Sequence, residues 1–444
     1  MTTEQGRIPA PPATTAASSR PGRHPAEAAL DVRSGRSVSW LTGAHGPAPA
    51  SVRTGAPVTA EPTAAVRPRN RKQLIVEAAG RVFSEHGYHA ASMEVIAAGV
   101  GITAAALYRH FPNKYALFAE CANVAVDRLV AAVDEVPADA SLADVLTAVT
   151  QITVTHRASS GLYRWEARYL ERDDRRVLGR KFAHIVGRVT DVVRREHPLP
   201  GGHLRAAAAL GAIGSITMHH TSIAQRRVEE LLLAAATRVV ATDPTAAAGS
   251  ARLVELPTQP VPRTRRAEIL AAAIPLFERD GFANVTNGRI AEAVGLVPSA
   301  LYRYFPGKAD ILAAACLQAA GLLSQAVEQN LREVADPHGA VAALTTTYVA
   351  YSFEHTALTS VANAELVGLP ADLQRPLIIA QREHIAVWEQ QLRSARPELD
   401  SRQARVLVHA GFGVVVEAGR RLRWQDSPEH RDAVAALVMG ALGL

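Results

Sequence analysis

The sequence predicts an all-α protein made of two similar helical units in one chain. Three observations predict it. Alanine dominates the apolar residues and aromatics are only 5% of the 444 positions, a composition that favours helix over sheet because Ala has the highest helix propensity. Apolar residues recur at i, i+3 and i+4, as at Ile75, Ala78, Ala79, Val82 and Phe83, the spacing of one helix face. Finally, residues 71–118 align with 265–312 without a gap at an offset of 194, with 17 of 48 positions identical. A period that long means a duplicated domain. Pro198 and Gly214 find counterparts in Pro397 and Gly413 at an offset of 199, so the duplication extends through whole units.

Residues 1–66 are rich in Pro, Ala, Gly, Ser and Thr and lack apolar periodicity. Such a segment cannot bury enough surface to offset chain entropy, so a disordered tail is expected. It is also basic: residues 1–72 hold ten Arg and Lys against four Asp and Glu, which equals the whole chain's net charge of +6. Smaller basic clusters, Arg67–Lys72 and Arg263–Arg266, stand just before the two repeated segments and suit phosphate contact. A basic linker making no such contact is the alternative. No apolar stretch reaches the roughly 18 uncharged residues of a membrane span, and the N-terminus lacks an apolar signal core, so a cytoplasmic protein is expected. Cys121 and Cys316 read as two reduced helix cysteines.

The helices follow in order. Gly87 closes the first, Ser92 caps the second with Glu94 in its first turn, and either Val95 or Ile96 faces inward. Gly101 permits a tight turn and Thr103 caps a short third helix over Ala104–His110. Phe111-Pro112 stops that helix, and a fourth begins near Asn113. Three helices with a glycine turn between the second and third fit a helix-turn-helix, whose third helix enters a DNA major groove. Further on, Ser141 opens an apolar stripe through Leu142, Val145, Leu146, Val149 and Ile152. Long helices are expected near 175–197, 203–223 and 225–241, and the last two pair with 401–422 and 428–443. Gly211, Gly214, Gly411 and Gly413 sit inside these apolar runs, where close helix–helix approach would offset their cost. Domain boundaries follow: a tail over 1–66, a first DNA-binding domain over 67–118, a first regulatory domain over 119–242, a linker over 243–262, a second DNA-binding domain over 263–312 and a second regulatory domain over 313–444.

The motif resembles the TetR family of one-component regulators. Unit one reads Ile96-Ala97, Gly101-Ile102-Thr103, Leu107-Tyr108-Arg109-His110-Phe111 and Lys114; unit two reads Ile290-Ala291, Gly295-Leu296-Val297, Leu301-Tyr302-Arg303-Tyr304-Phe305 and Lys308. The resemblance covers about 50 residues of each unit. It implies a DNA-binding transcriptional regulator, ligand-responsive and repressing, with an operator duplex and a small, hydrophobic inducer as partners. No enzyme activity, cofactor, metal or membrane is expected. Ser92, Thr103, Ala104, Ala105, Tyr108, His110 and Lys114 should face DNA in unit one, and Thr286, Pro298, Ser299, Tyr302, Tyr304 and Lys308 in unit two. Val297 departs from the Ser or Thr that the family favours there. The two heads therefore differ and imply unlike half-sites.

Relatives in the family pair through their C-terminal helices. A tandem chain could make that pairing internally, as a single-chain pseudo-dimer on an asymmetric operator, and homodimers remain open. An alternative keeps the fold but gives DNA to unit one alone and makes unit two a protein-interaction or dimerisation module. Polar–aromatic groups amid apolar helices are the ligand-pocket candidates: Tyr163, Trp165, Glu166 and Tyr169 in unit one, and Tyr351, Glu354, His355 and Trp388 in unit two. His219-His220 is the nearest thing to a metal motif, but no third ligand accompanies it. No nucleophile elbow, phosphate loop or zinc signature is present.

Overall fold

A computed structural model describes residues 71–159, 161–162, 169–246, 254, 256–257, 261–282, 284–332, 334–365 and 369–444. The 1–66 tail, most of the 243–262 linker and the candidates Tyr163, Trp165 and Glu166 lie outside the described residues. Among those described, every regular element is a helix.

The first unit runs α1 (Arg71–Ala90), α2 (Met93–Gly99), α3 (Ala104–Tyr108), α4 (Lys114–Asp134), α5 (Leu142–Thr155), α6 (Arg172–Glu196), α7 (Gly202–Gly214), a 3-10 turn (Ser215–Met218) and α8 (Gln225–Ala241). The second runs α9 (Arg265–Asp280), α10 (Asn287–Ala293), α11 (Pro298–Leu301), α12 (Lys308–Leu331), α13 (Pro337–Glu354), α14 (Thr356–Glu365), α15 (Ala371–Ala395), α16 (Ser401–Arg421) and α17 (Pro428–Leu442).

Local chemistry sets most boundaries. Ser92, Thr103 and Asn113 each accept a backbone N–H three residues on, at the starts of α2, α3 and α4. Ser141 with Asp144 and Asp400 with Gln403 form reciprocal capping boxes on α5 and α16. Each such cap is worth about 1 kcal/mol. Gly87 takes φ 73° and kinks α1 rather than ending it outright. The turns at Gly101 and Gly295 use φ 66° and 67°, a left-handed backbone that only glycine adopts without strain.

Apolar stripes converge on one continuous core. Phe83, Ile96, Leu107 and Phe118 are buried in unit one, and Phe277, Ile290, Leu301 and Leu312 are buried in unit two. Ile96, not Val95, faces inward; Val95 is exposed. Cys121 and Cys316 are free and buried, and burial pushes the Cys316 thiol up to about 12. Helix α12 is long and apolar enough to cross a membrane by length and composition, more than the sequence reading expected, yet half of that window is buried. It packs against α9, α13 and α15.

The two units meet through α7 and α8 against α16 and α17. At the α7–α16 crossing, a Cβ on Gly211 would stand 2.4 Å from the Gly413 carbonyl oxygen, and one on Gly413 would stand 2.2 Å from the Gly211 oxygen. Only two glycines allow backbones that close. Beside them His219 and His409 stack at 4.1 Å between centroids, 12° from parallel. Arg238 of α8 donates to the Gly440 and Ala441 carbonyls at the end of α17, both at 3.0 Å.

Candidate nucleic-acid interface

Each unit presents a short third helix anchored by its buried side and open on the other. In unit one Leu107 and Phe111 are buried, while Thr103, Ala105, Tyr108, Arg109 and His110 are exposed. Ala104 is half-buried. In unit two Ala300, Leu301 and Phe305 are buried, and Val297, Pro298, Ser299, Tyr302 and Arg303 are exposed. Tyr304, the counterpart of His110, is half-buried and packs on the core. Ser92 and Thr286 spend their hydroxyls on caps, accepting from the backbone N–H of Val95 and Arg289.

Lys114 and Lys308 each hold two backbone carbonyls of their own unit. The Lys114 ammonium donates to the carbonyls of Tyr88 at 2.9 Å and Ala91 at 3.2 Å and lies over the Tyr88 ring. Lys308 repeats this on Phe282 and Val285, at 2.6 and 3.0 Å. Burial lowers the Lys114 pKa. These ammoniums tie the segment after the kink of α1, and the loop after α9 in unit two, onto the start of the following long helix. The basic clusters are partly structural as well. Arg266 donates to the Tyr304 carbonyl at 2.6 Å and covers the Phe305 ring. Lys72, its counterpart, pairs with Glu120 at 2.9 Å and lies over Phe111.

The two heads differ where α3 and α11 begin. Thr103 accepts from Ala106 N–H, whereas Val297 makes no side-chain cap and stands 65% exposed, with Pro298 at the first helical position. Asn287 donates to the Tyr302 hydroxyl at 3.2 Å, while its counterpart Met93 is buried in the core. Arg109, Arg303 and Asn287 lie beside the candidates and were not singled out from the sequence. The repeated Leu-Tyr-Arg could have flagged the arginines, since the third residue follows the exposed Tyr.

The ligand candidates scatter. Trp388 is a core residue: it is buried, its indole N–H donates to His384 at 3.1 Å, and it packs edge-on to Phe412. Tyr351 is likewise buried, its hydroxyl donating to the Ala319 carbonyl at 3.0 Å. Both pack inside the protein with their polar atoms hydrogen-bonded to it. Tyr169 stacks on Tyr88 at 5.2 Å. Glu354 and His355 do line a cavity of about 660 Å³ between α9, α12 and the α13–α14 junction. Pro275, on its wall, supplies no N–H to the Ala271 carbonyl, also on that wall. Burial lowers the His355 pKa. Among the described residues no group of three or more His, Cys, Asp or Glu is placed to hold a metal.

Residues 75–121 and 269–315 each match the family model described as bacterial regulatory proteins, tetR family. The chain is 42% identical over 67 residues to the HTH-type transcriptional activator FasR of Mycolicibacterium smegmatis, 15% of this chain and 30% of that one. It is 33% identical over 87 residues to the nucleoid occlusion factor SlmA of Photorhabdus laumondii, 19% and 43%. It is 35% identical over 69 residues to the HTH-type transcriptional repressor AcnR of Corynebacterium glutamicum, 16% and 37%. The chain thus spans less than half the length of each of these curated relatives. Among solved structures, a TetR-family regulator from Bordetella parapertussis aligns over 40% of this chain and 95% of its own, at 24% identity and TM-score 0.36. The ketosteroid regulator KstR2 of Mycobacterium tuberculosis aligns over 41% and 95%, at 18% identity and TM-score 0.36. With the signature segment found twice and in register, the chain carries the N-terminal domain of the tetR family of bacterial regulatory proteins in tandem.

Proposed function

We propose that this chain is a DNA-binding transcriptional regulator that works as a single-chain pseudo-dimer, each head reading one of two unlike half-sites. One observation carries the reading: two short helices, each buried on one side and open on the other, are carried by units packed together at the Gly211–Gly413 crossing. Paired heads of this class sit about one DNA turn apart, roughly 34–36 Å. Tyr108 and Tyr302 offer hydroxyls to phosphate, and Arg109 and Arg303 add charge. At base edges the heads diverge. Thr103, Ala105 and His110 offer small and polar groups, whereas Val297 and Pro298 offer apolar surface that suits thymine methyl groups.

Repression follows from occupying the operator, and release from an effector. The 660 Å³ cavity under α9 is our candidate effector site, within the size range of small-molecule pockets. Its walls join the head helix α9 to α12, α13 and α14, so a bound molecule would bias the second head directly. A hydrophobic inducer with one donor group would find the Ala271 carbonyl and Glu354. We place the protein in the cytoplasm with its DNA.

A second reading leaves unit two off DNA, as a dimerisation or protein-interaction module. The missing cap at Val297 and the Tyr302 hydroxyl held by Asn287 favour it. Tyr108→Ala and Tyr302→Ala separate the two in gel-shift titrations. Two working heads predict similar losses, about tenfold each, since a hydrogen bond to a charged group is worth about 1.5 kcal/mol or more. Unchanged affinity in Tyr302→Ala would leave the second reading standing.

A further inference from the structure

A second cavity, of about 380 Å³, lies where the units meet. Unit one supplies apolar lining, Val126 of α4 and Leu178 and Phe182 of α6, and unit two supplies Arg420 and Arg421 at the end of α16. Arg175 of α6 also reaches it. The lining therefore sets three guanidiniums against one carboxylate, Glu417, which is buried and pairs with Arg420 at 3.4 Å. His203 also lines the cavity, and burial first, then Arg421 and Arg194, lower its pKa. Gly179 opens the space. A Cβ built there meets nothing within 4 Å, so the cavity has room for a side chain at this position.

The duplication supplies a comparison within the chain. Helices α6 and α15 are both 25 residues long and align without a gap at the offset of 199. At the sister position Gly179 becomes Ile378, Arg175 becomes Gln374, and Arg420 and Arg421 correspond to Thr221 and Ser222. The sister site thus lacks the guanidiniums and carries bulk where the first has space. A cavity lined by apolar side chains from one unit and guanidiniums from the other matches one ligand chemistry, an apolar chain ending in an anion.

We propose that this inter-unit cavity binds one amphipathic carboxylate per chain, its apolar chain between Val126, Leu178 and Phe182 and its carboxylate at Arg420 and Arg421. An occupant would bridge α6 of unit one to α16 of unit two, and so sense or set how the units are joined. This site is separate from the cavity under α9 and does not depend on DNA binding.

Calorimetric titration of the full chain with decanoate, 1-decanol and decyltrimethylammonium tests it, without DNA. We expect saturable decanoate binding at one per chain, about tenfold or more tighter than decanol, with the cation weakest. Replacing Arg420 and Arg421 together by Met keeps the aliphatic stems and should bring decanoate to within about twofold of decanol. Gly179→Leu should remove binding of both while leaving the melting temperature level or raised. Absence of saturable decanoate binding, two equivalents per chain, or an affinity that neither variant changes would overturn the proposal.

Discussion

Gly413→Ala is the sharpest perturbation of the join between the units. The new methyl would sit 2.2 Å from the Gly211 oxygen and 2.9 Å from its carbonyl carbon, both backbone atoms. Real Cβ atoms essentially never come within 3.0 Å of such a neighbour, so α7 and α16 must separate by about 0.8 Å, the difference between those two distances. No rotamer change can relieve a clash between backbones. The overpacking cost therefore belongs at the upper end of its usual range, about 3 kcal/mol. Alanine returns about 1 kcal/mol of helix propensity, leaving a net loss of about 2 kcal/mol. Gly187→Ala is the matched control, since a Cβ there meets nothing within 4 Å and only the propensity gain remains. Differential scanning calorimetry should show Gly413→Ala melting about 4–8 °C lower and Gly187→Ala slightly higher, at 2–4 °C per kcal/mol for units of this size. If Gly413→Ala melted at or above the parent temperature, the glycine contact would not be holding the units together and the reasoning would fail.

Other outcomes follow from the same geometry. Arg205 is fully buried and donates to the carbonyls of Pro200, His197, Leu199 and Val240. Arg205→Met strands those neutral acceptors and should cost on the order of 3 kcal/mol in urea unfolding; a cost below about 1 kcal/mol would show that they find other donors. Burial holds His409 at about 3 and His384 at about 4, and drives His219 well down. Folded-state pKa values below the unfolded 6.5 mean that the unfolded chain takes up protons first. Stability is therefore full above pH 6.5 and falls as pH drops toward 3, by up to about 1.4 kcal/mol per pH unit for each histidine. His409→Leu should flatten that slope, and an unchanged slope would place the titration elsewhere. Lys114→Met should lower thermal stability through the lost Tyr88 and Ala91 contacts while leaving the salt dependence of DNA binding near its parent slope. A slope reduced by about one would return Lys114 to the phosphate.

What could be read from the sequence was what local chemistry fixes. Ser92, Thr103, Asn113 and Ser141 announce helix starts because a side-chain oxygen must satisfy an orphan N–H within three residues. The duplicated Leu-Tyr-Arg showed which turn of each third helix faces outward, since a buried Leu and an exposed Tyr recur together. The glycines of the last helices signalled close approach, although only the fold selects Gly211 and Gly413 as the crossing pair. Tertiary choices stayed hidden. The sequence contains nothing that tells whether the Lys114 ammonium turns to carbonyls 23 and 26 residues away or out to solvent. Trp388 stands out in the sequence as a polar aromatic amid apolar helices, but the ring it meets, Phe412, lies on another helix and no local pattern shows that contact. The inter-unit cavity needs four helices from both units, so no local pattern can encode it.

The most direct test of the central claim is the stoichiometry of the DNA complex. Sedimentation analysis of the full chain on a short duplex carrying one site, recovered by genome-wide footprinting, should give one chain per duplex, with protection of two dissimilar half-sites about one helical turn apart. Two chains per duplex on identical half-sites, or a single protected half-site, would contradict it.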